Sequence, residues 1–361
     1  MTMAVPPDPA PALGAKVRDH GFHSLRVAEV VRETADTNSI VFDVPGELAA
    51  TFAYLPGQNI TFRLPINDEL QHRSYSMSSA PATDAKLTVT VKRVQGGLVS
   101  NWVNDHVKAG DEVQVTSPAG LFITKTDRDV VAFAGGSGIT PVFSIAKSVL
   151  ATSERSVTIY YANRSREAVI FDAALDELQE KYADRLTVVH HLDTERGYVD
   201  PASIAETVAK AVGAECFVCG PDPFMDVVEA ELLNAGVPTD LLHIERFAPL
   251  ATVPLEPQEA AAAPPKSDEF EVEITLNGKT QKTTWRKGTV ILQTARSMKF
   301  NPPYGCEAGN CASCMAKVLE GTCEMHVNDA LRDDEVDDGW ILTCQGYPTS
   351  PVVRVSYDEE S

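Results

Sequence analysis

Four of the seven cysteines in this 361-residue chain fall at set intervals: Cys306, Cys311, Cys314 and Cys344, spaced C-x4-C-x2-C-x29-C. Tight spacing folds three thiolates around one face of a metal–sulfide centre, and a fourth from a distant strand closes the cage. The small residues Gly305, Ala308, Gly309, Ala312 and Ser313 let backbone amides approach the sulfurs. The x4/x2 interval is that of a two-iron, two-sulfur cluster. A four-cysteine zinc site usually carries two C-x-x-C pairs, and here there is one. Buried free thiols are the other alternative, and packing is the expected role of Cys323 and Cys216. An odd cysteine total with such clustering fits a reducing compartment better than a disulfide framework.

Upstream, three patterns succeed one another. Over residues 24–117, short strands with turn signals recur (LRVAEVVRET, SIVFDV, NITFRL, KLTVTVKRV, DEVQVT), interrupted by one short helix near 100–106. Even spacing of this kind predicts a small antiparallel barrel. From about residue 129, apolar strands (VVAFAG, SVTIYYA, RLTVVHHL, ECFVCG, LLHIERF) alternate with amphipathic stretches, the pattern of a parallel sheet with right-handed crossovers. In PDPFMDVVEAELLNAG, Pro223 sits near a helix start, Gly236 follows its end and Pro238 prevents continuation. Residues 249–268 hold five Pro and five Ala, a composition that buries no core and acts as a semi-stiff spacer. Beyond it, Asn277-Gly278 between two alternating runs signals a hairpin, followed by a short helix around 289–297 and the cysteine loop. The expected divisions are a loose tail over 1–22, a barrel over 23–126, an α/β domain over 127–248, the spacer over 249–268 and a last domain over 269–361.

The net charge of −20 weighs against nucleic acid as a partner, because phosphate backbones are bound through Lys and Arg fields. No apolar run has the length of a bilayer span. The first twenty residues are rich in Pro and Ala and lack the apolar stretch of an export signal, so a cytoplasmic protein with no membrane attachment is expected.

The segment YGCEAGNCASC…LTC resembles the plant ferredoxin family, over about 270–361. PGQ (56–58), RSYS (73–76), VKR (91–93) and GGLVS (96–100) resemble the ferredoxin–NADP reductase superfamily, as do GGSGITP (135–141) and CGPDPFM (219–225). The chemistry agrees. FAD brings a pyrophosphate, an adenine and an isoalloxazine ring; Arg73 can pair bidentately with the pyrophosphate and Tyr75 can stack on the ring. Gly97 and Ser100 open a helix whose free amides can take up phosphate. The resemblance adds Ser74, Val91, Lys92, Leu98 and Val99 to the FAD residues and puts Ser76 at the ring edge where hydride arrives. It favours FAD over FMN.

Gly135, Gly136 and Gly138 let amides close on a nicotinamide dinucleotide pyrophosphate, with Pro141 where the dinucleotide fingerprint has its third glycine. That departure itself matches the superfamily. The resemblance places Cys219 beside the nicotinamide, with Gly220, Pro221 and Met225 around it. The resemblance also puts Thr140 near the meeting of the two rings and, in HIERF, Phe247 against the flavin with the acid Glu245 nearby. After SVTIYYA the run Asn163-Arg164-Ser165-Arg166 carries no acid for a ribose hydroxyl, and its Arg and Ser side chains (Arg164, Ser165, Arg166) could receive a 2′-phosphate, which favours NADPH. The reductases this chain resembles prefer NADH, and NADH is the expectation.

The order of the parts resembles the reductase components of bacterial multicomponent oxygenases over nearly all of 25–358. The 3-ketosteroid 9α-hydroxylase type is nearest and the phenylacetyl-CoA epoxidase type next. The resemblance implies a multidomain chain with an antiparallel β-barrel flavin domain, an α/β parallel-sheet nucleotide domain and a β-grasp-like α+β ferredoxin domain. Electrons would pass from NADH (or NADPH) through FAD and a 2Fe–2S cluster to a terminal oxygenase of the Rieske non-haem iron type in steroid catabolism. A di-iron oxygenase is the alternative partner, and a nicotinamide-linked redox sensor the rival from another class. A monomer is expected. Between 317 and 361 eleven acids face three bases, including DDEVDD (333–338), which could steer a basic partner or simply be solvated.

Overall fold

The computed structural model describes residues 22–67, 69–247, 270–286, 288–300, 302–304, 309, 311–328 and 330–359. The expected tail up to residue 21, the spacer, Gly305, Cys306 and Ala308 lie outside them.

The first sheet holds β1 (Phe22–Thr34), β2 (Thr37–Asp43), β3 (Asn59–Ile66), β4 (Glu69–Ser76), β5 (Leu87–Lys92) and β6 (Glu112–Thr116), in the order β4-β3-β6-β1-β2-β5 and antiparallel throughout. Period-two alternation turns Leu25, Val27, Ile40, Phe42, Phe62, Val89, Val113 and Val115 into one core. A bridge between Met77 and Val89, with the Ser78 amide on the Thr88 carbonyl, joins the two edges into a barrel. Helix α1 (Leu98–His106) packs Val99 and Val103 into the same core. It starts earlier than the sequence suggests, because Gly97 takes the extended N-cap conformation.

The second sheet is parallel, β7 (Val130–Gly135), β8 (Val157–Asn163), β9 (Leu186–Leu192), β10 (Glu215–Gly220) and β11 (Leu242–Arg246), ordered β11-β10-β7-β8-β9. Helices α2 (Ile139–Thr152) and α3 (Asp172–Lys181) bury one face, while α5 (Pro201–Ala211) and α6 (Asp222–Asn234) bury the other; the short α4 (Asp193–Arg196) follows β9. Covered on both sides, β7 is buried along its whole length and so reads as an unbroken apolar run. From β7 the chain winds outward to β9, then returns to place β10 on the other flank. The switch point therefore lies between β7 and β10, where an open α/β sheet offers a crevice at its carboxyl ends.

The third sheet is mixed, with β12 (Glu271–Leu276), β13 (Lys279–Thr284), β14 (Met315–Glu320), β16 (Trp340–Leu342) and β18 (Val352–Ser356) in the order β13-β12-β18-β14-β16; β15 (Cys323–Met325) pairs with β17 (Gly346–Pro348) beside it. Helix α7 (Ile291–Ser297) lays Ile291 and Ala295 on Val272, Ile274, Val353 and Val355, and α8 (Asp333–Asp337) precedes β16. The Asn277-Gly278 turn has φ of 53° and 70°, as a type I′ hairpin requires. The Asp358 carboxylate accepts both turn amides at 2.7 Å. No helix among the described residues is long and apolar enough to cross a membrane.

The barrel and the nucleotide domain are joined by specific polar contacts. Ser144 on α2 donates to the Ser79 carbonyl at 2.6 Å, and Lys147 meets Asp84 at 2.5 Å. At the far end of the sheet the buried Glu215 accepts the Lys125 amide at 2.6 Å and the Thr126 hydroxyl at 3.1 Å.

Candidate functional site

RSYS ends β4, and its pairing with β3 decides where each side chain goes. Tyr75 stands opposite Ile60, Ser74 opposite Thr61 and Arg73 opposite Phe62. Alternation puts Arg73 and Tyr75 on one face, with the Tyr75 ring 5.0 Å from that of Phe62 and nearly edge-on, and Ser74 and Ser76 on the other. Both faces are used. Ser76 is buried and donates to Glu245 Oε2 at 3.3 Å. Glu245 is itself only 4% exposed on β11 and registers beside Cys219 of β10. Burial first, and the Glu245 charge second, push the Cys219 thiol well above its ordinary range and keep it neutral. Thr140 is buried and donates to the Ser137 carbonyl at 3.0 Å, while Phe247 is 38% exposed just past β11.

The glycines at the switch point divide into two jobs. A Cβ on Gly138 would stand 2.0 Å from the Cys219 carbonyl oxygen, one on Gly135 2.7 Å from Pro221 Cδ, and one on Gly220 2.9 Å from the Gly135 nitrogen. These three weld GGSG and CGP together. Gly136 differs: its φ is +53° and a Cβ there would face open space, with Lys92 Nζ 3.9 Å away. Lys92 reaches this turn from the barrel strand β5. Burial pulls its pKa down, while Asp36, 3.9 Å from its ammonium, opposes that. Arg164, exposed past β8, lies within electrostatic reach of both Lys92 and Asp36. A cation beside an open glycine turn, with a second cation within its electrostatic reach, fits a pyrophosphate. Pro221 caps α6, and Met225 is fully buried beneath. Arg166 is engaged by Asp172 at 2.8 Å and Asp176 at 3.7 Å, and Ser165 hydrogen-bonds Glu167.

On the barrel, the α1 cap residue Gly97 brings no side-chain acceptor, so the first amides of the helix stay available for phosphate. Ser100 accepts the Val94 amide at 3.0 Å and shapes the turn, Val91 and Val99 are buried, and Leu98 is 45% exposed. Arg73 donates to the His72 carbonyl at 2.5 Å. A cation, free helix amides and a tyrosine ring are what FAD asks for, and Arg73, the start of α1 and Tyr75 could supply them.

Cys311, Cys314 and Cys344 are all buried. Cys344 hydrogen-bonds Cys314, and that contact first, then burial, drive the Cys314 thiol far up. Among the described residues no three ligand side chains close on a single point. A two-iron cluster needs no such trio: each iron takes two protein thiolates, so a close Cys314–Cys344 pair suits one iron. Ala312 adopts φ 55° within the loop, a left-handed turn that curls the chain between the cysteines.

The cysteine loop also touches the barrel. Ser313 Oγ lies 2.7 Å from Thr61 Oγ1, 3.3 Å from Ser74 Oγ and 3.1 Å from Cys311 Sγ, and Thr61 lies 2.9 Å from Ser74. Neither Thr61 nor this role of Ser313 is legible in the sequence. The two residues are 252 positions apart, and a threonine on a barrel strand carries no signal of a distant partner.

Comparison with known proteins agrees with this geometry. The oxidoreductase FAD-binding domain model matches residues 24–123, the oxidoreductase NAD-binding domain model 133–230, and the 2Fe-2S iron-sulfur cluster binding domain model 274–349. The chain is 42% identical over 346 residues to the ferredoxin reductase component of 3-ketosteroid-9-alpha-monooxygenase from Mycolicibacterium smegmatis, spanning 93% of this chain and 97% of that one. It is 31% identical over 354 residues to a component of 1,2-phenylacetyl-CoA epoxidase from Escherichia coli, spanning 93% and 98%. The solved structure of phthalate dioxygenase reductase superposes with a TM-score of 0.55 at 25% identity, over 93% of this chain and 98% of that one. Carrying all three domains and matched along almost its whole length, the chain belongs to the family of reductase components of oxygenase systems, oxidoreductases that bind FAD, NAD(P)H and a 2Fe-2S cluster.

Proposed function

We propose that this reductase draws electrons from NADH and delivers them to a Rieske-type terminal oxygenase that hydroxylates a 3-ketosteroid. The observation that carries the electron path is on β4: Ser76 meets the nucleotide domain at Glu245, and Ser74 meets the cysteine loop at Ser313. The steroid system is supported by the 42% identity to the Mycolicibacterium smegmatis component, against 31% to the epoxidase component.

Bound FAD and the cluster supply the redox chemistry, accepting an electron pair and releasing it singly. The residues position and shield. Lys92, Arg164 and the Gly136 turn hold the dinucleotide pyrophosphate; Cys219, Thr140, Gly220 and Pro221 wall the nicotinamide, with Phe247 at the mouth. Ser76 and Glu245 hold the polar edge where the hydride crosses. Arg73 and the α1 amides hold the FAD pyrophosphate, and Tyr75 carries the ring. Cys314 with Cys344 would ligate one iron of the cluster, and Cys311 with Cys306 the other. NADH is favoured because two of the 2′-phosphate candidates, Ser165 and Arg166, are engaged by acids and the third, Arg164, serves the pyrophosphate. The acidic helix α8 is a docking face for a basic oxygenase surface; its flanking residues Leu331 and Trp340 share a packing cluster with Cys314 and Cys344. The chain acts as a cytoplasmic monomer, divided at about 23–126, 127–248 and 269–361.

Reconstitution tests the partner. With NADH, the reductase should support 9α-hydroxylation by a purified steroid Rieske oxygenase and give little product with a phenylacetyl-CoA epoxidase. The opposite outcome assigns it to a di-iron system and overturns the proposal.

A further inference from the structure

We infer that Thr61 and Ser313 form a hydroxyl latch, with Ser74, that seats the cysteine loop on the flavin barrel and sets the rate at which single electrons leave the flavin. The inference rests on the electron-transfer reading above and specifies its exit step.

Three hydroxyls meet at the seam. Thr61 is fully buried and Ser313 is 7% exposed, so neither has water as an easy alternative partner. Each hydroxyl has one proton to give. Four contacts are made among Thr61, Ser74, Ser313 and Cys311, so the proton directions are constrained. As a cluster ligand, Cys311 is a thiolate and can only accept. Ser313 then donates its proton to Cys311 Sγ and must accept from Thr61, which in turn accepts from Ser74. The result is a directed chain from Ser74 to Thr61 to Ser313 to the Cys311 sulfur.

This chain crosses between domains, and it starts two residues before Ser76 on the same face of β4. At about 3.4 Å of rise per residue, the entry contact with Glu245 and the exit contact with Ser313 are about 7 Å apart along one strand. NADH gives up its electron pair as hydride. With FAD and the cluster bound, the pair would cross the seam as two single electrons, the one-electron cluster passing the first to the terminal oxygenase before taking the second, and one proton would return to solvent. No bond in the latch forms or breaks; Thr61 and Ser313 are positioning residues. A hydrogen bond to a cluster sulfur also favours the reduced cluster, so Ser313 is expected to raise its potential.

The test compares the holoprotein with Thr61→Val and Ser313→Ala in rapid-mixing experiments that follow flavin and cluster absorbance separately. Thr61→Val keeps the shape, and should leave flavin reduction by NADH unchanged while slowing cluster reduction roughly tenfold. Thr61→Ser should restore the rate. Ser313→Ala should slow the same step and lower the cluster midpoint potential in a titration read by electron paramagnetic resonance, which a purely structural contact would not do. A wild-type rate of cluster reduction in Thr61→Val overturns the latch and leaves the family reading standing. A wild-type potential in Ser313→Ala overturns the directed chain. Failure of the wild-type holoprotein to reduce its cluster from NADH sinks the underlying reading instead.

Discussion

Ser76 on the barrel and Glu245 on the nucleotide sheet share a 3.3 Å hydrogen bond although 169 residues separate them in the chain. Both are nearly inaccessible to water, so the pair is a buried polar contact between the barrel and the nucleotide sheet. Replacing Ser76 by Ala removes the hydroxyl proposed to hold the polar edge with Glu245 and should slow flavin reduction roughly a hundredfold, with the dissociation constant for NADH little changed. Glu245→Gln should act in the same direction. Rapid-mixing kinetics at saturating NADH decide, and an unaltered limiting rate would mean that the pair only fastens the domains.

The neighbouring Cys219 should be chemically quiet. Burial and the Glu245 charge both raise its pKa, so the thiol form persists well above neutrality. Flavin reduction should therefore show no titration attributable to this thiol between about pH 6 and pH 9, and alkylation should be far slower than for a free cysteine of pKa about 8.5. Rapid modification of Cys219 in the intact protein, read by mass spectrometry, would contradict the buried environment.

Glu215 gives a pH signature to stability. Burial alone would raise its pKa from 4.5, but hydrogen bonds from His243 and the Lys125 amide outweigh that and hold it down to about 2. A carboxylate depressed in the folded state stabilises fully above its unfolded value. Its contribution drains away as the pH falls from about 4.5 towards 2. Arg155, 3.0 Å away, belongs to the same buried set. Glu215→Gln should cost about 3 kcal/mol at pH 7 in urea unfolding, and the deficit should shrink below pH ~4. An equal deficit at both pH values would assign the loss to packing.

Two glycines of the same turn should fail differently. Gly138→Ala drives a methyl into the Cys219 carbonyl, 2.0 Å away, and should unfold or badly destabilise the nucleotide domain. Gly136→Ala meets open space at the cost of a left-handed alanine, about 1–2 kcal/mol, and should keep the fold while raising KM for NADH. Thermal melts alongside KM measurements separate the two.

Coenzyme choice follows from occupied partners. With Arg166 held by Asp172 and Asp176, kcat/KM for NADH should exceed that for NADPH by roughly tenfold or more. Releasing Arg166 with Asp172→Asn and Asp176→Asn should narrow the ratio. A wild-type preference for NADPH would refute the argument.

The three sheets were legible because their periods differ: alternation for the barrel, continuous apolar runs for the doubly covered β7 and β10, and an Asn-Gly hairpin for the last sheet. The strand and turn motifs were legible too, since RSYS, GGSG and CGP are contiguous. What stayed hidden depends on distant pairings. Lys92 reads as part of a barrel motif, and only the fold brings its ammonium to Gly136 on the other domain. Gly135 and Gly138 read as phosphate-cradling residues and Gly220 as part of the nicotinamide pocket, whereas their missing side chains let one strand end pack on another. Thr61 has no local pattern at all, because its significance comes from Ser313. Arg166 reads as a phosphate ligand until Asp172, at the start of α3, is seen to hold it.

The contacts of α2 on the barrel bear on how such reductases can be recombined. The helix that opens at the GGSG turn is pinned to the strand exit after RSYS by Ser144 and Lys147. Grafting a nucleotide domain from a relative to change coenzyme would strand Asp84 and the Ser79 carbonyl unless the graft supplied equivalents. Barrel and nucleotide sheet are thus one inheritable cassette, and a productive crossover belongs after residue 247 instead of near 126.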